Sequence, residues 1–159
     1  MARVVATLIL ILIVAGCSRK PPYEGKSVAE LERMLRSSDA TAQAQGALGL
    51  SQHGAEAKDA VPALIEALKS EHTLVRQHAA LALGKIGPEA RDAAPALTAA
   101  LSDSEWTVRR QAAVALGELG SEASSAVPAL ERLAKDPDRL VRQAGQEALA
   151  KVRGITPKK

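Results

Sequence analysis

"ALGKIGPEARDAAPALTAALSDSEWTVRRQAAVALGELG", residues 82–120, opens on ALGKIG and closes on ALGELG, two near-copies 33 residues apart. Laying the chain over itself at that shift extends the match well beyond the copies. Pro62, Pro95 and Pro128 share one column, each inside AVPAL or AAPAL. Val75, Val108 and Val141 share another and are each followed by an arginine, Arg76, Arg109 and Arg142. Ala79 and Ala112, Leu83, Leu116 and Leu149, Gly84 and Gly117, and Gly87 and Gly120 keep the same register. One step back, Leu31, Leu35, Ala47 and Leu50 preserve the apolar columns while Ala29 stands in for the proline. The chain therefore divides into four units, 27–59, 60–92, 93–125 and 126–155.

Within a unit, apolar residues recur at three and four, as in Val61, Leu64, Ala67 and Leu68, then Val75, Ala79, Ala82, Leu83 and Ile86. That is helical spacing, and each unit reads as two helices. Asp59, Asp92 and Ser125 are candidate N-caps of the first helix, with the proline in its opening turn, where the missing N–H costs no hydrogen bond. The second helix is expected from about residue 73 to 86, ending at Gly87 as a C-cap, with Pro88 preventing its continuation. Neither helix can bury its apolar stripe alone, so the units must stack to make one continuous core. Helix is also what the composition favours: aromatic residues are 1% and Phe is absent, leaving Ala, Leu, Val and Ile to pack the interior.

The two-helix unit, the proline of the first helix, the Val-Arg pair opening the second and the ALGKIG and ALGELG endings resemble HEAT repeats, nearest to the short PBS lyase HEAT-like kind also seen in phycobilin lyases. The resemblance covers about 27–155. It implies an all-α fold: a right-handed α-solenoid of about four antiparallel helix pairs, with the second helices lining the concave side. It also implies that Asp103 and Asp136, six residues before Arg109 and Arg142, form a structural ladder of hydrogen bonds with the arginine column, Arg76 included. A row of cations for an anionic ligand is the alternative. Ser70 and Ser37 replace the aspartate before Arg76 and Gln43, so the ladder is expected to weaken toward the N-terminus. Those Ser and Asp residues could equally cap their second helices.

The first residues, "MARVVATLILILIVAGC", do not share the repeat pattern. Arg3 precedes an apolar run from Val4 to Val14, then small residues and the only Cys, which is signal-peptide grammar. A membrane-spanning helix needs about twenty apolar residues, more than this run supplies. Val14-Ala15-Gly16-Cys17 resembles the lipobox of bacterial lipoproteins, which implies removal of 1–16 and acylation of Cys17, with a location on the bacterial cell envelope and, for some families, the outer membrane. An ordinary secreted chain with a free thiol is the alternative. Residues 17–26 read as a lipidated Cys followed by an extended tether through Pro21 and Pro22, and 156–159 as a tail.

Catalytic signals are absent from the sequence: there is no Gly-rich phosphate loop, nucleophile elbow or Cys-His pairing. Deoxyhypusine hydroxylases, a HEAT-like enzyme family, bind iron through His-Glu dipeptides, whereas here the pairs are His53-Gly54, His72-Thr73 and His78-Ala79. The expectation is a non-catalytic chain with no metal and no cofactor, its histidines at the surface; a bilin-lyase-like or hydroxylase-like enzyme and a purely structural spacer are the alternatives. A formal charge of +3 gives no footprint for nucleic acid. What remains is a candidate partner-binding ridge on the second helices: Gln77, Leu81 and Lys85; Arg110, Val114 and Glu118; Gln143, Glu147 and Lys151. Leu48 continues its aliphatic row. Trp106, at the entrance of a second helix, is either an exposed anchor on that ridge or a lid on the core edge. Gly145, Gln146, Glu147 and Arg153 depart from the columns and suggest a polar C-terminal cap, where eight Lys and Arg face four Asp and Glu from 126 onward. The expected job is that of an envelope scaffold for unknown envelope proteins, held at the membrane by its lipid anchor.

Overall fold

The computed structural model describes residues 20–155. Cys17, the signal-peptide reading of 1–16 and the tail 156–159 lie outside the described residues. All regular structure among the described residues is helical: α1 Val28–Leu35, α2 Ala40–His53, α3 Val61–Ala67, α4 Thr73–Ile86, α5 Ala94–Ala100, α6 Trp106–Leu119, α7 Val127–Leu133 and α8 Arg139–Val152. Four short first helices thus alternate with four second helices of 14 residues each. Every second helix packs against the next one, α2 on α4, α4 on α6 and α6 on α8. The fold is an all-α solenoid of stacked pairs.

The junctions between units differ from the expectation. Asp59, Asp92 and Ser125 are exposed and cap nothing. Instead a 3₁₀ segment fills each junction, Gly54–Ala60, Gly87–Ala93 and Gly120–Ala126, and runs directly into the first helix. The N–H groups of Val61, Ala94 and Val127 already bond to Lys58, Arg91 and Ser124 carbonyls, so the helix start needs no side-chain acceptor. The prolines do sit in the opening turns. At the other end, Gly54, Gly87 and Gly120 adopt φ of +54°, +77° and +60° with extended ψ, a backbone open to glycine that stops the first three second helices, while α8 ends at Arg153.

Turn chemistry before the second helices is also more specific than capping. Ser37 Oγ, Ser70 Oγ, Asp103 Oδ1 and Asp136 Oδ1 accept from the N–H two residues on, at 3.0, 3.2, 2.9 and 2.8 Å. The residues at the N-cap position are Asp39, His72, Glu105 and Asp138, of which only the two aspartates bond their own helices. Upstream, Ser27 and Glu30 close a capping box on α1.

The tether reading is corrected over its described part. Glu24 N–H donates to Pro21 O at 2.9 Å and Gly25 has φ +73°, so 21–25 is a turn rather than an extended spacer. Tyr23 packs on the core, and a Cβ on Gly49 would lie 2.9 Å from the Tyr23 Cβ. The half-buried ring of Tyr23 thus sets this turn against α2.

The core is a single cluster running the length of the stack. Leu31, Leu50, Leu64, Leu83, Leu97, Leu116 and Leu130 are wholly buried, each contributing about 1.5–3 kcal/mol. Ala79, Ala80, Ala112 and Ala113 on the second helices are buried without residual exposure. Ala112→Leu is expected to overpack this layer and lower stability by about 1–3 kcal/mol in urea unfolding. Gly87→Ala has open space around it, the nearest atom being Glu89 Oε2 at 3.8 Å. Its cost should come from the glycine-only backbone conformation, φ +77° with ψ -143°, about 1–3 kcal/mol, with unchanged far-UV circular dichroism.

Candidate functional site

Two sets of side chains stand out from the scaffold, the arginine column and the outward stripe of the second helices. The arginines pair forward across the unit boundary. Arg76 Nε and Nη2 donate to Asp103 Oδ2 and Oδ1 at 2.7 and 2.9 Å, and Arg109 Nε and Nη2 donate to Asp136 at 2.9 and 3.1 Å. Each Nη1 meanwhile donates to two carbonyls of its own turn: Arg76 to Ser70 and Glu71, Arg109 to Asp103 and Ser104, Arg142 to Asp136 and Pro137. The fork is thus held rigid and spent on structure, with the Asp136 side chain 8% exposed. These cations form a ladder rather than a row open to anions.

The forward direction changes the reading of Ser70. It faces the unit before it, where Gln43 bonds only its own turn, Nε2 to Ser37 O at 2.6 Å. The rung between the first two units therefore lacks an ion pair, and Arg76 itself is fully engaged. At the other end, Arg142 has no carboxylate partner among the described residues.

Burial pushes the Asp103 carboxyl up, but hydrogen bonds from the Arg76 guanidinium and the Glu105 N–H, with the nearby cations, outweigh it and leave the pKa below the ordinary value. Asp136 follows the same balance, with Arg109 and the Asp138 N–H opposing burial. Depressed carboxylate pKa values mean that the ladder's contribution is complete above the unfolded-state value, about 3.9, and is lost as pH falls below it.

Along the outward stripe, Gln77, Leu81 and Val114 are half-buried, while Lys85, Arg110, Glu118, Gln143, Glu147 and Lys151 are exposed. Trp106 is 41% exposed, which makes it a surface side chain and not a lid. Part of the stripe is closed on itself: Lys151 Nζ bonds Glu118 Oε1 at 2.7 Å, and Gln143 Nε2 bonds Glu147 Oε1 at 2.8 Å. Arg110 and Lys85 form no ion pair among the described residues. Two members were missed in the sequence, Leu74 at 59% and Leu140 at 46% exposure. Each lies three residues before a stripe residue, Gln77 or Gln143, and one helical turn of extension would have found it.

The histidines split. His72 is exposed, but His53 and His78 are half-buried and tie elements together, contrary to the surface expectation. His78 Nδ1 lies 3.0 Å from Ala44 O across the first two units, and His53 Nε2 lies 3.0 Å from Lys26 O. Among the described residues, no three His, Cys, Asp or Glu side chains are grouped so as to hold a metal ion.

A stack of near-identical helix pairs, joined by a rigid polar ladder and leaving one stripe of mixed side chains outward, defines an α-helical tandem-repeat protein. The chain belongs to the HEAT repeats family, whose model matches residues 28–94 and 89–150. Among solved structures it is similar to an engineered protein with 27% identity, covering 80% of this chain and 62% of that one at a TM-score of 0.69. A designed armadillo repeat protein in complex with the peptide (KR)4 is 18% identical, covers 79% and 64%, and has a TM-score of 0.69, a likeness of fold alone. Human deoxyhypusine hydroxylase in complex with glycerol is 30% identical, covering 84% of this chain but 46% of the enzyme, at a TM-score of 0.64. The chain thus spans less than two thirds of the length of each of these. No curated protein matches it.

Replacing Asp136 with Asn should leave the Arg109 fork without its charge partner and cost about 1.5–3 kcal/mol at neutral pH by urea unfolding. Because the wild type alone loses that pair on acidification, the gap between the two proteins should narrow as pH falls from 5 to 3.

Proposed function

We propose that the protein is a non-catalytic scaffold of the bacterial cell envelope, anchored through acylated Cys17 and recruiting another envelope protein along the outward stripe of its second helices. The observation that carries the binding role is Trp106, a large aromatic side chain left exposed at the start of α6 where the neighbouring units place Thr73 and Arg139. Trp in such a position supplies contact area at low entropy cost, and Leu74 and Leu140 on the flanking helices extend the apolar surface. Around them Arg110, Lys85 and Glu147 provide a polar rim that fits a protein partner better than a continuous basic groove for nucleic acid.

Anchoring rests on the lipobox-like Val14-Ala15-Gly16-Cys17. Three residues stand between Cys17 and the turn that opens at Pro21, at most roughly 10 Å of chain. Lipid chains at Cys17 would hold the repeats close against the bilayer, with two or more acyl groups needed for stable attachment. Among the described residues no helix is long and apolar enough to cross a membrane.

Cys17→Ala should move the protein from the membrane to the soluble fraction of cells and abolish incorporation of labelled palmitate; retention in the membrane would defeat the anchoring half. A photocrosslinking residue at 106 or 114 should capture a discrete envelope protein identifiable by mass spectrometry, whereas the same residue at 88, on an exposed junction, should not. Capture of nothing from either ridge position would defeat the scaffold half. A spacer would behave in that second way.

A further inference from the structure

The N-terminal edge of the second helices carries more than the exposed tryptophan. Between α2 and α4 lies a groove of about 440 Å³ lined by Ala40, Ala44, Thr73, Leu74, Val75 and His78, dominated by carbon. Leu74 stands at its rim at 59% exposure, and Trp106 occupies the corresponding edge of the next helix at 41%. On a protein so short of aromatic residues, two large apolar side chains and an apolar groove on one edge are costly to leave in water.

Acidic residues accompany them. Asp39, Glu105 and Asp138 share the N-cap column of units one, three and four, where unit two has His72 with Glu71 one residue before it. Asp39 is committed to capping α2, with Oδ2 accepting from Ala42 N–H at 2.8 Å. Glu71 and Glu105 are exposed, and their carboxylates make no hydrogen bond or ion pair among the described residues. One carboxylate without a hydrogen bond or ion pair therefore lies three residues before Leu74, and another immediately before Trp106.

We propose that this edge docks an extended cationic peptide segment: one apolar side chain enters the groove beside Leu74, the next lies on Trp106, and intervening Lys or Arg side chains reach Glu71 and Glu105. Packed helices lie about 8–10 Å apart, and a polyproline-like chain advances about 9 Å in three residues. Apolar residues at i and i+3 thus address neighbouring second helices, and the basic residues between them meet the carboxylates. Charge pairing at such an edge sets partner choice and orientation, while the apolar contacts supply most of the affinity. This assignment rests on the protein-binding reading above and names the partner's chemistry.

The test uses the full chain and a fluorescein-labelled nonapeptide of three Leu-Lys-Pro units, followed by fluorescence anisotropy. Peptides of Ser-Lys-Pro and Leu-Glu-Pro units are expected to bind at least tenfold more weakly. Leu74→Ser should weaken the Leu-Lys-Pro peptide at least tenfold, and the double variant Glu71→Lys/Glu105→Lys should do the same while gaining affinity for the Leu-Glu-Pro peptide. All these positions are exposed, and circular dichroism with thermal unfolding verifies that the variants fold. No binding, equal binding of the three peptides, or indifference to the variants would overturn the proposal. Should crosslinking at 106 still capture its protein equally well in the Glu71→Lys/Glu105→Lys background, the cationic assignment falls while the scaffold stands. Failure of all capture is the separate result that removes the scaffold.

Discussion

Neighbouring second helices approach so closely that a methyl group would crowd the next backbone at two points: a Cβ on Gly84 would lie 3.0 Å from the Ala115 Cα, and one on Gly117 3.1 Å from the Ala148 Cα. With Ala79, Ala80, Ala112 and Ala113 buried in the same layer, the stack is built on backbone-to-backbone proximity. A chain without Phe has few other ways to reach interior density. Small residues bring many atoms within dispersion range at once, and the leucines fill the space between the two helix layers. The interface repeats because the residues that permit it repeat.

Close approach alone would allow neighbouring units to slide, since dispersion has little directional preference. The Arg76–Asp103 and Arg109–Asp136 forks give direction, each joining a second helix to the turn that precedes the next one. Their carboxylates do double duty, accepting from Glu105 and Asp138 N–H as well, so the same group shapes its own turn and fixes its neighbour. The first interface lacks this device and uses His78 to Ala44 O instead. Function is consequently left to side chains that neither the layer nor the ladder requires, and these are the ones that vary between units: Thr73, Trp106 and Arg139 at one position, Thr41, Leu74, Thr107 and Leu140 at the next.

Much of this was legible in the residues. The 33-residue register located the helix pairs, the glycines that end the first three second helices, and the buried Val75, Ala79, Leu83 and Ile86 stripe, while the resemblance to HEAT repeats implied the Asp-Arg ladder. Besides the histidines, three readings went differently, each for a physical reason. Asp59, Asp92 and Ser125 looked like caps because N-cap chemistry is local, yet a 3₁₀ segment had already satisfied the donors. The tether at 21–25 looked extended because prolines favour it, yet Tyr23 found a site on Gly49. Ser70 does weaken the ladder toward the N-terminus, but at the rung with Gln43 and not beneath Arg76, because each arginine's carboxylate partner lies 27 residues ahead and not six behind.

By itself, the sequence determined the architecture, because apolar spacing recurs in all four units and the proline and the helix-ending glycine in three each, and all of them act within or between adjacent units. Tertiary structure alone decided which side chains stay in water and which spend their hydrogen bonds on the frame. Exposure depends on what the next unit covers: Trp106 remained outside, Glu118 and Lys151 closed on one another, and Leu74 emerged beside a groove that no single helix contains.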